Sequence, residues 1–235
     1  MVGNSELHGE SLLAWETNAD FWDTRMGDES NVFHREIVRP YTELLLDVHP
    51  DDFILDVACG NGNFSKRLAE QGAQVVAFDY SKKMIENAKK RQSKHLDMIE
   101  FITCDATDYE QMISLHRDKP FDKAVANMAV MDITNIVPLF HAVFDMLRDA
   151  GVFVFSTHHP CFIRPNDKYM TSHIHKGEAI IGQPVFQNYY HRSLQEIFNC
   201  CLSSGFVIDG FYEEADDGAE TPVIIIVRLR KPKHP

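Results

Sequence analysis

The chain has 235 residues, of which 44% are apolar and 25% are charged, so it is long enough to form one large domain with its own core. Its formal net charge of −12 disfavours a general nucleic-acid or anionic-membrane surface, because both need a basic face. The longest aliphatic run, Val223 to Val227, is far too short for a membrane span. The start of the chain does not resemble a secretory signal, and the five cysteines form no C-x-x-C pair. We therefore expect a cytoplasmic protein with reduced thiols.

Residues 1–39 are expected to form helices outside the sheet, with Trp15, Phe21, Trp22 and Phe33 as apolar anchors. From about residue 53 onward, short apolar runs alternate with amphipathic segments, which is typical of βαβ units and a parallel sheet. Strands are predicted at 53–57, 74–78, 99–102, 121–126 and 152–155. The helix before the last of these is expected to end near Gly151, as a C-terminal glycine stop does.

The pattern changes at 158–192, which shows neither a helical nor a strand period. Ser193 and Glu196 then form a capping-box pattern that predicts a helix running to Gly205. Two antiparallel strands, 206–211 and 223–229, are predicted to follow. The chain is thus expected to have an α/β, Rossmann-like fold: a mostly parallel seven-stranded sheet with helices on both faces and an antiparallel last strand.

A glycine-containing turn, D-V-A-C-G-N-G-N from Asp56, follows the first predicted strand and begins a helix. Gly60 and Gly62 let the backbone turn tightly and approach a ligand, which the first helical amides face. Asp79 ends the second strand about 20 residues later, where a carboxylate can accept both hydroxyls of a ribose. Asp105 ends the third strand, where it can accept an adenine amino proton. Either acid alone is as consistent with a turn, but together with the glycine turn they favour a nucleoside-containing cofactor.

The run from Ile54 to Lys89, with D-V-A-C-G-N-G, V-V-A-F-D-Y-S and M-I-E-N-A, resembles the class I S-adenosylmethionine-dependent methyltransferases. The resemblance extends through 121–132 and 147–151, and it is strongest to the branch that methylates small molecules (methyltransferase type 11/25-like). It implies S-adenosylmethionine as cofactor and S-adenosylhomocysteine as product. The cofactor-binding residues implied in this way are Asp56, Ala58, Cys59, Gly60 and Gly62 for the methionine part, Asp79 and Tyr80 for the ribose, Asp105 and Ala106 for the adenine, Met84, and Asn127, Met128 and Ala129 beside the sulfonium.

Two related classes fit the sequence less well. A nicotinamide-binding Rossmann domain has G-x-G-x-x-G, but Ser65 stands at the third glycine position. Methyltransferases that act on nucleic-acid bases resemble one another in an N/D-P-P-Y motif, where this chain has N-M-A-V from Asn127. A nucleic-acid substrate is therefore disfavoured, although a specific RNA remains an alternative, as does a protein that binds the cofactor without catalysis.

The acceptor side is assigned to an insertion at 158–192 within a domain spanning 40–235. His158 and His191, at its two ends, are the candidate catalytic residues, because a histidine can accept the acceptor's proton. By resemblance, residues 1–39 are expected to form a lid that excludes water. The other residues assigned to the substrate side are Trp22, Arg25, Met131, His159, Tyr189, Tyr190 and Arg192.

The expected reaction is methyl transfer to an O, N, S or C nucleophile of a small molecule, with no metal, because no metal-ligand spacing appears among the histidines. The partner is thus a small-molecule methyl acceptor. The sequence does not indicate the acceptor's identity or the oligomeric state.

Overall fold

The computed structural model describes residues 4–161, 168–216 and 218–233. Seven strands form one sheet in the order β3-β2-β1-β4-β5-β9-β8, and two more form a separate hairpin. The strands are β1 (Phe53–Val57), β2 (Gln74–Asp79), β3 (Ile99–Thr103), β4 (Phe121–Ala126), β5 (Leu147–His158), β6 (His173–Gly177), β7 (Gln187–His191), β8 (Val207–Ala215) and β9 (Pro222–Arg230).

Strands β1 to β5 are parallel, whereas β9 runs antiparallel to both of its neighbours, β5 and β8. The predicted fold, a mostly parallel seven-stranded sheet with an antiparallel last strand, is confirmed. The helices are α1 (Asn4–Met26), α2 (Arg39–Leu46), α3 (Asn63–Glu70), α4 (Lys82–Arg91), α5 (Tyr109–Ile113), α6 (Val137–Met146) and α7 (Leu194–Ser203).

The central strands are apolar on both faces because helices cover both sides of the sheet. On one side Leu55 packs in a cluster with α5, α6 and α7, which includes Phe140. On the other side Ile54 packs in a cluster with α2, α3 and α4, which includes Leu68. Alternate residues of β1 thus belong to opposite halves of the core, and the carboxyl ends of the parallel strands are held in fixed positions.

The expected end of α6 near Gly151 is wrong. The helix ends at Met146, and β5 already begins at Leu147, which pairs with Phe121. The register with β4 then shifts before Val152. A Cβ at Gly151 would lie 2.8 Å from the Arg148 carbonyl oxygen. The glycine is therefore needed because the backbone passes close to itself where the register shifts, and it does not end a helix.

The segment 158–192, whose sequence shows neither a helical nor a strand period, contains β6 and β7, which pair as an antiparallel hairpin with His175 opposite Tyr189. β7 is mostly buried, and it packs against α1 and the short turn at 130–132. Because β7 is made of polar and aromatic residues and is buried on both faces, it does not show the simple alternation of apolar and polar residues that identifies a half-buried strand. Residues 162–167 of the insertion lie outside the described residues.

The N-terminal segment contains the 23-residue helix α1. Residues 34–46 are helical without a break, so the domain boundary expected between residues 39 and 40 falls inside a helical segment. In the described ranges of the chain, no helix has the length and apolar character needed to cross a membrane.

Candidate functional site

The turn between β1 and α3 contains three residues in the left-handed backbone region, Ala58, Gly60 and Gly62. The Gly60 N–H donates to the Asp79 carboxylate at 3.1 Å, and the Ser81 N–H donates to the same carboxylate at 2.9 Å. Asp79 therefore fixes the turn to the end of β2. A non-glycine residue such as Ala58 in this region is strained, which is typical of binding sites.

The two glycines of the turn serve different purposes. Gly60 lines the cavity at this edge of the sheet. Gly62 does not line it, and a Cβ at Gly62 would lie 2.7 Å from the Phe101 ring. The sequence alone predicted the same ligand-approach role for both, whereas the position of Gly62 indicates a packing role.

A cavity of about 240 Å³ opens at the carboxyl ends of β1 to β4, where open α/β sheets bind ligands. Except for Gly62, every residue predicted to bind the cofactor lines this cavity; these residues are Asp56, Ala58, Cys59, Gly60, Asp79, Tyr80, Met84, Asp105, Ala106, Asn127, Met128 and Ala129. Their contacts with a cofactor stay a prediction.

Two buried carboxylates carry perturbed pKa values. Burial raises the pKa of Asp56 to about 7, although the Ser65 hydroxyl donates to it at 2.6 Å. Burial likewise raises the pKa of Asp79 to about 6, against the lowering effect of its backbone hydrogen bonds. A cation in the cavity would favour the ionised form of both groups, because opposite charges lower a carboxyl pKa.

Helix α1 covers the adenine end of the predicted cofactor site. His8 Nε2 lies 2.9 Å from an Asp105 carboxylate oxygen. Asp105 also accepts hydrogen bonds from the N–H and hydroxyl of Thr107, both at 2.8 Å. Sequence reasoning missed His8, because one histidine on a largely polar helix carries no distinguishing pattern.

The indole rings of Trp15 and Trp22 meet edge to face at 5.3 Å between centroids, and both line the cavity. His34 packs its ring against Trp22 at 5.9 Å, and burial lowers the pKa of His34 to about 4. This wall of the cavity is therefore aromatic, and its histidine is neutral at neutral pH; the nearby charge of Arg39, which also lines the cavity, contributes to the lowered pKa of His34.

Of the residues predicted on the acceptor side, the cavity is lined by Trp22, Met131, His158 and Tyr189. His158 packs against the Tyr189 ring at 5.2 Å, and burial lowers the pKa of His158 to about 4. The imidazole is thus neutral at pH 7, although its basicity is weaker than that of an ordinary histidine.

The other predicted acceptor-side residues do not line this cavity. His159 is held at both ring nitrogens, by Glu213 at 2.8 Å and by the Cys161 N–H at 3.0 Å. His191 stacks on His173 at 4.5 Å and contacts the carbonyl oxygen of Tyr169 through Nε2.

Tyr190 hydrogen-bonds Ser11 of α1 at 2.8 Å, so it joins the hairpin to the N-terminal helix. Arg25 lies over the Phe21 ring, 5.2 Å from its centroid. The catalytic and substrate-binding roles assigned to these residues from the sequence stay predictions.

Arg192 is buried beneath the cavity wall and donates to backbone carbonyls of the turn that follows β4. Its acceptors there are the carbonyl oxygens of Val130, Ile133 and Thr134, at 3.2, 2.6 and 2.9 Å. These contacts indicate that Arg192 supports the turn that forms this part of the wall, although Arg192 itself does not line the cavity.

Sequence reasoning missed a pair at the end of that turn. The Gln187 side-chain amide on β7 donates to Asp132 Oδ1 at 2.9 Å, and both residues line the cavity. They are 55 positions apart in the chain, so only the fold brings them together. The described residues contain no group of three His, Cys, Asp or Glu side chains arranged to hold a metal ion.

Comparison with known proteins agrees with this geometry. A family model described as a methyltransferase domain matches residues 49–199. The malonyl-[acyl-carrier protein] O-methyltransferase of Serratia marcescens is 28% identical over 109 residues, which are 46% of this chain and 39% of that protein. The chain thus aligns with well under half the length of that relative.

Solved structures are also similar. An S-adenosylmethionine dependent methyltransferase from Mesorhizobium loti aligns with a TM-score of 0.69 at 26% identity, over 82% of this chain and 96% of that one. The 1,6-didemethyltoxoflavin-N1-methyltransferase of Burkholderia thailandensis, solved with S-adenosylhomocysteine, shares the fold with a TM-score of 0.70 at 15% identity, over 99% of this chain and 92% of that one. With the family model matched along 49–199, the chain belongs to the class I S-adenosylmethionine-dependent methyltransferase family.

Proposed function

We propose that the protein transfers the methyl group of S-adenosylmethionine to a small-molecule acceptor bound in the same cavity. The observation that carries the proposal is the continuity of this cavity. It extends from Asp79 and Gly60, at the ends of β2 and β1, to Tyr189 and His158 on the hairpin side. One cavity thus adjoins both the predicted donor residues and four of the predicted acceptor-side residues, Trp22, Met131, His158 and Tyr189.

The residues present fit the cofactor. Asp79 offers carboxylate lone pairs beyond the two that its backbone hydrogen bonds use, as a ribose diol needs. The Tyr80 hydroxyl is buried and has no hydrogen-bond partner among the described residues, so a polar ligand atom would satisfy it. Asp105 already holds His8 and Thr107, so an adenine amino group would share that carboxylate with them.

The cofactor supplies a methyl group on a positively charged sulfur, which is a good leaving group. The protein therefore contributes alignment and exclusion of water. Ser156 supports the wall beside the predicted methionine position: its hydroxyl donates to the Asn127 side chain at 2.8 Å and accepts from the Met128 N–H at 2.8 Å. Met128 is held in the left-handed region, with φ of 53°.

We propose that residues 1–39 act as the lid. Trp15 and Trp22 present apolar rings to the cavity, and His8 covers Asp105. A small acceptor is supported by this enclosure and by the net charge of −12, which disfavours a polyanionic substrate.

The test has two parts. Calorimetry with S-adenosylhomocysteine should show binding to the wild type, and Asp79→Ala should lower the affinity roughly tenfold or more, since hydrogen bonds to charged groups contribute about 1.5–3 kcal/mol. Asp118→Asn, in an exposed loop before β4, is the matched control and should bind normally. The wild type should then transfer labelled methyl from S-adenosylmethionine to components of a small-metabolite extract. Absence of binding would contradict the cofactor assignment, and binding without any transfer would favour a non-catalytic role.

A further inference from the structure

Asp132 is an acidic group in the cavity that the proposed cofactor contacts do not use. It ends the short turn that follows β4, and its carboxylate lies in the cavity wall together with Tyr189 and His158. The Gln187 amide donates to one oxygen, Oδ1. The other oxygen, Oδ2, receives no hydrogen bond from the described part of the chain, so an acceptor oxygen is available to a ligand.

The charge of Asp132 is not paired with a cation in the described part of the chain, although the Arg192 guanidinium donates to backbone carbonyls of the same turn. Within the described ranges, no Lys or Arg forms an ion pair with it, and burial together with the charge of Asp79 raises its pKa well above the ordinary value. The charge of Asp132 in turn helps to raise the pKa of Tyr80 and Tyr189, which places both rings near it. A carboxylate in such a site is stabilised by a ligand that donates a hydrogen bond or carries positive charge.

Two neighbouring side chains fix the position of Asp132. Arg192 donates to the carbonyl oxygens on either side of it, at Val130 and Ile133, and Gln187 orients the side chain from β7. Each of these contacts links the turn to the hairpin side of the cavity. Fixed orientation of a carboxylate is what proton acceptance from a bound nucleophile requires.

We propose that Asp132 binds the nucleophilic group of the methyl acceptor and takes up its proton, and that the acceptor is a planar aromatic compound with an N–H or O–H nucleophile. This inference rests on the proposed methyl transfer. The rings of Trp15, Trp22, Phe33 and Tyr189 in the cavity wall favour a planar acceptor. A carboxylate nucleophile has no proton to give and is repelled by Asp132, so it is excluded as the acceptor group.

The proton balance follows from the charges. The acceptor's N or O atom forms a bond to the methyl carbon while the carbon–sulfur bond breaks and its electron pair remains on sulfur. The acceptor's proton passes to the Asp132 carboxylate. Before transfer, the positive sulfur favours the ionised carboxylate. After transfer that positive charge is gone, so the pKa of Asp132 rises when the proton must be accepted.

The experiment compares three probes of similar size on protein saturated with sinefungin, an S-adenosylmethionine analogue whose amino group supplies a positive charge at the position of the sulfonium: phenol, benzylamine and benzoate, each titrated at millimolar concentration by protein-observed NMR. We expect phenol or benzylamine to bind the wild type more tightly than benzoate. Asp132→Asn should weaken that binding roughly tenfold or more. It should also reduce the difference in affinity between benzoate and the other two probes. Gln187→Leu should have a smaller effect in the same direction, and the matched control Asp118→Asn should have none.

Several results would overturn the inference: tighter binding of benzoate than of the other probes, equal binding of all three, no effect of Asp132→Asn, or no binding of any probe. S-Adenosylhomocysteine affinity is measured first on each variant. If the wild type fails to bind S-adenosylhomocysteine, the proposed function itself fails. If it binds but the probes do not depend on Asp132, only the present inference fails.

Discussion

Arg91 on α4 binds Asp23 on α1 through two hydrogen bonds to the two carboxylate oxygens, at 2.6 and 2.7 Å. The same guanidinium also contacts the Asp28 carboxylate, just beyond the end of α1. Asp23 in turn accepts from the Asn61 side chain of the glycine turn at 3.1 Å. One ion-pair cluster thus connects the N-terminal helix, α4 and the cofactor-side loop.

Arg91→Met should loosen the N-terminal helix without unfolding the sheet. The pairs are partly exposed, so we expect a loss of about 1 kcal/mol, which corresponds to roughly fivefold more frequent opening of α1. Hydrogen exchange of residues 4–26 should speed up, and S-adenosylhomocysteine should dissociate faster. Arg117→Met, which removes a pair with Glu100 elsewhere on the surface, is the control and should leave α1 unchanged. Unaltered exchange in α1 after Arg91→Met would contradict the role of this cluster as the lid's anchor.

The two glycines of the turn should respond differently to alanine. Gly62→Ala adds a Cβ at 2.7 Å from the Phe101 ring at a φ of +75°, so stability should fall by about 3 kcal/mol. Gly60→Ala has only Trp22 Nε1 nearby, at 3.6 Å, and should cost about 1–2 kcal/mol for the left-handed backbone. The methyl group of Gly60→Ala enters the cavity, however, so S-adenosylhomocysteine affinity should fall roughly tenfold or more. Urea unfolding and calorimetry on both variants check this contrast, and similar stability losses would contradict it.

The pH dependence of stability should reveal the buried Asp56. Its folded-state pKa of about 7 lies above the ordinary value of 3.8, so the folded form binds a proton more tightly than the unfolded chain. Its contribution to stability is therefore fully present below about pH 4 and is lost as the pH rises through 7.

The side-chain amide of Asp56→Asn does not ionise, so this variant should not lose stability in the same way as the pH rises. Its side-chain oxygen can still accept the hydrogen bond from Ser65. At pH 8 the ligand-free variant should be more stable than the wild type by about 2 kcal/mol, and the difference should shrink towards pH 4. Urea unfolding across this range measures it, with Asp118→Asn showing no such pH-dependent gain. A less stable Asp56→Asn protein at pH 8 would contradict the raised pKa.

The sheet and the cofactor side could be predicted from the sequence because their signals are local. Two features can each be recognised within a few residues: a buried strand followed by a glycine turn, and an acid such as Asp79 at the end of the next strand. Ser193 also caps its helix as expected, and Ser81 caps α4 in the same way; each side chain accepts a backbone N–H three residues later. The reciprocal half of the capping box did not form, because the Glu196 carboxylate instead contacts the Ser172 hydroxyl.

The acceptor side could not be predicted in the same way, because long-range pairing determines it. Asp132 and Gln187 meet only once the hairpin folds over the turn after β4. Histidine content drew attention to 158–192, yet burial leaves His158 a weak base, and His159 is held at both ring nitrogens. Neither the packing nor the desolvation that decides such roles is encoded in a short motif.

Arg192 provides a test of how the acceptor side of the cavity is held. Its buried guanidinium donates to carbonyl oxygens of the 130–134 turn and does not line the cavity. Arg192→Met leaves these carbonyls without their donor, so urea unfolding should show a loss of about 3 kcal/mol. Arg192→Lys keeps the charge but supplies fewer donors in a different geometry, so its loss should be intermediate. Because most cofactor-side residues come from other elements, and Ser156 holds Met128 at the start of this turn independently of Arg192, S-adenosylhomocysteine affinity of the folded variants should stay within about threefold of the wild type, under 1 kcal/mol. Benzylamine or phenol binding should nevertheless weaken, since the turn that carries Asp132 is no longer fixed. Weakened S-adenosylhomocysteine binding with unchanged probe binding would instead assign Arg192 to the support of the donor site.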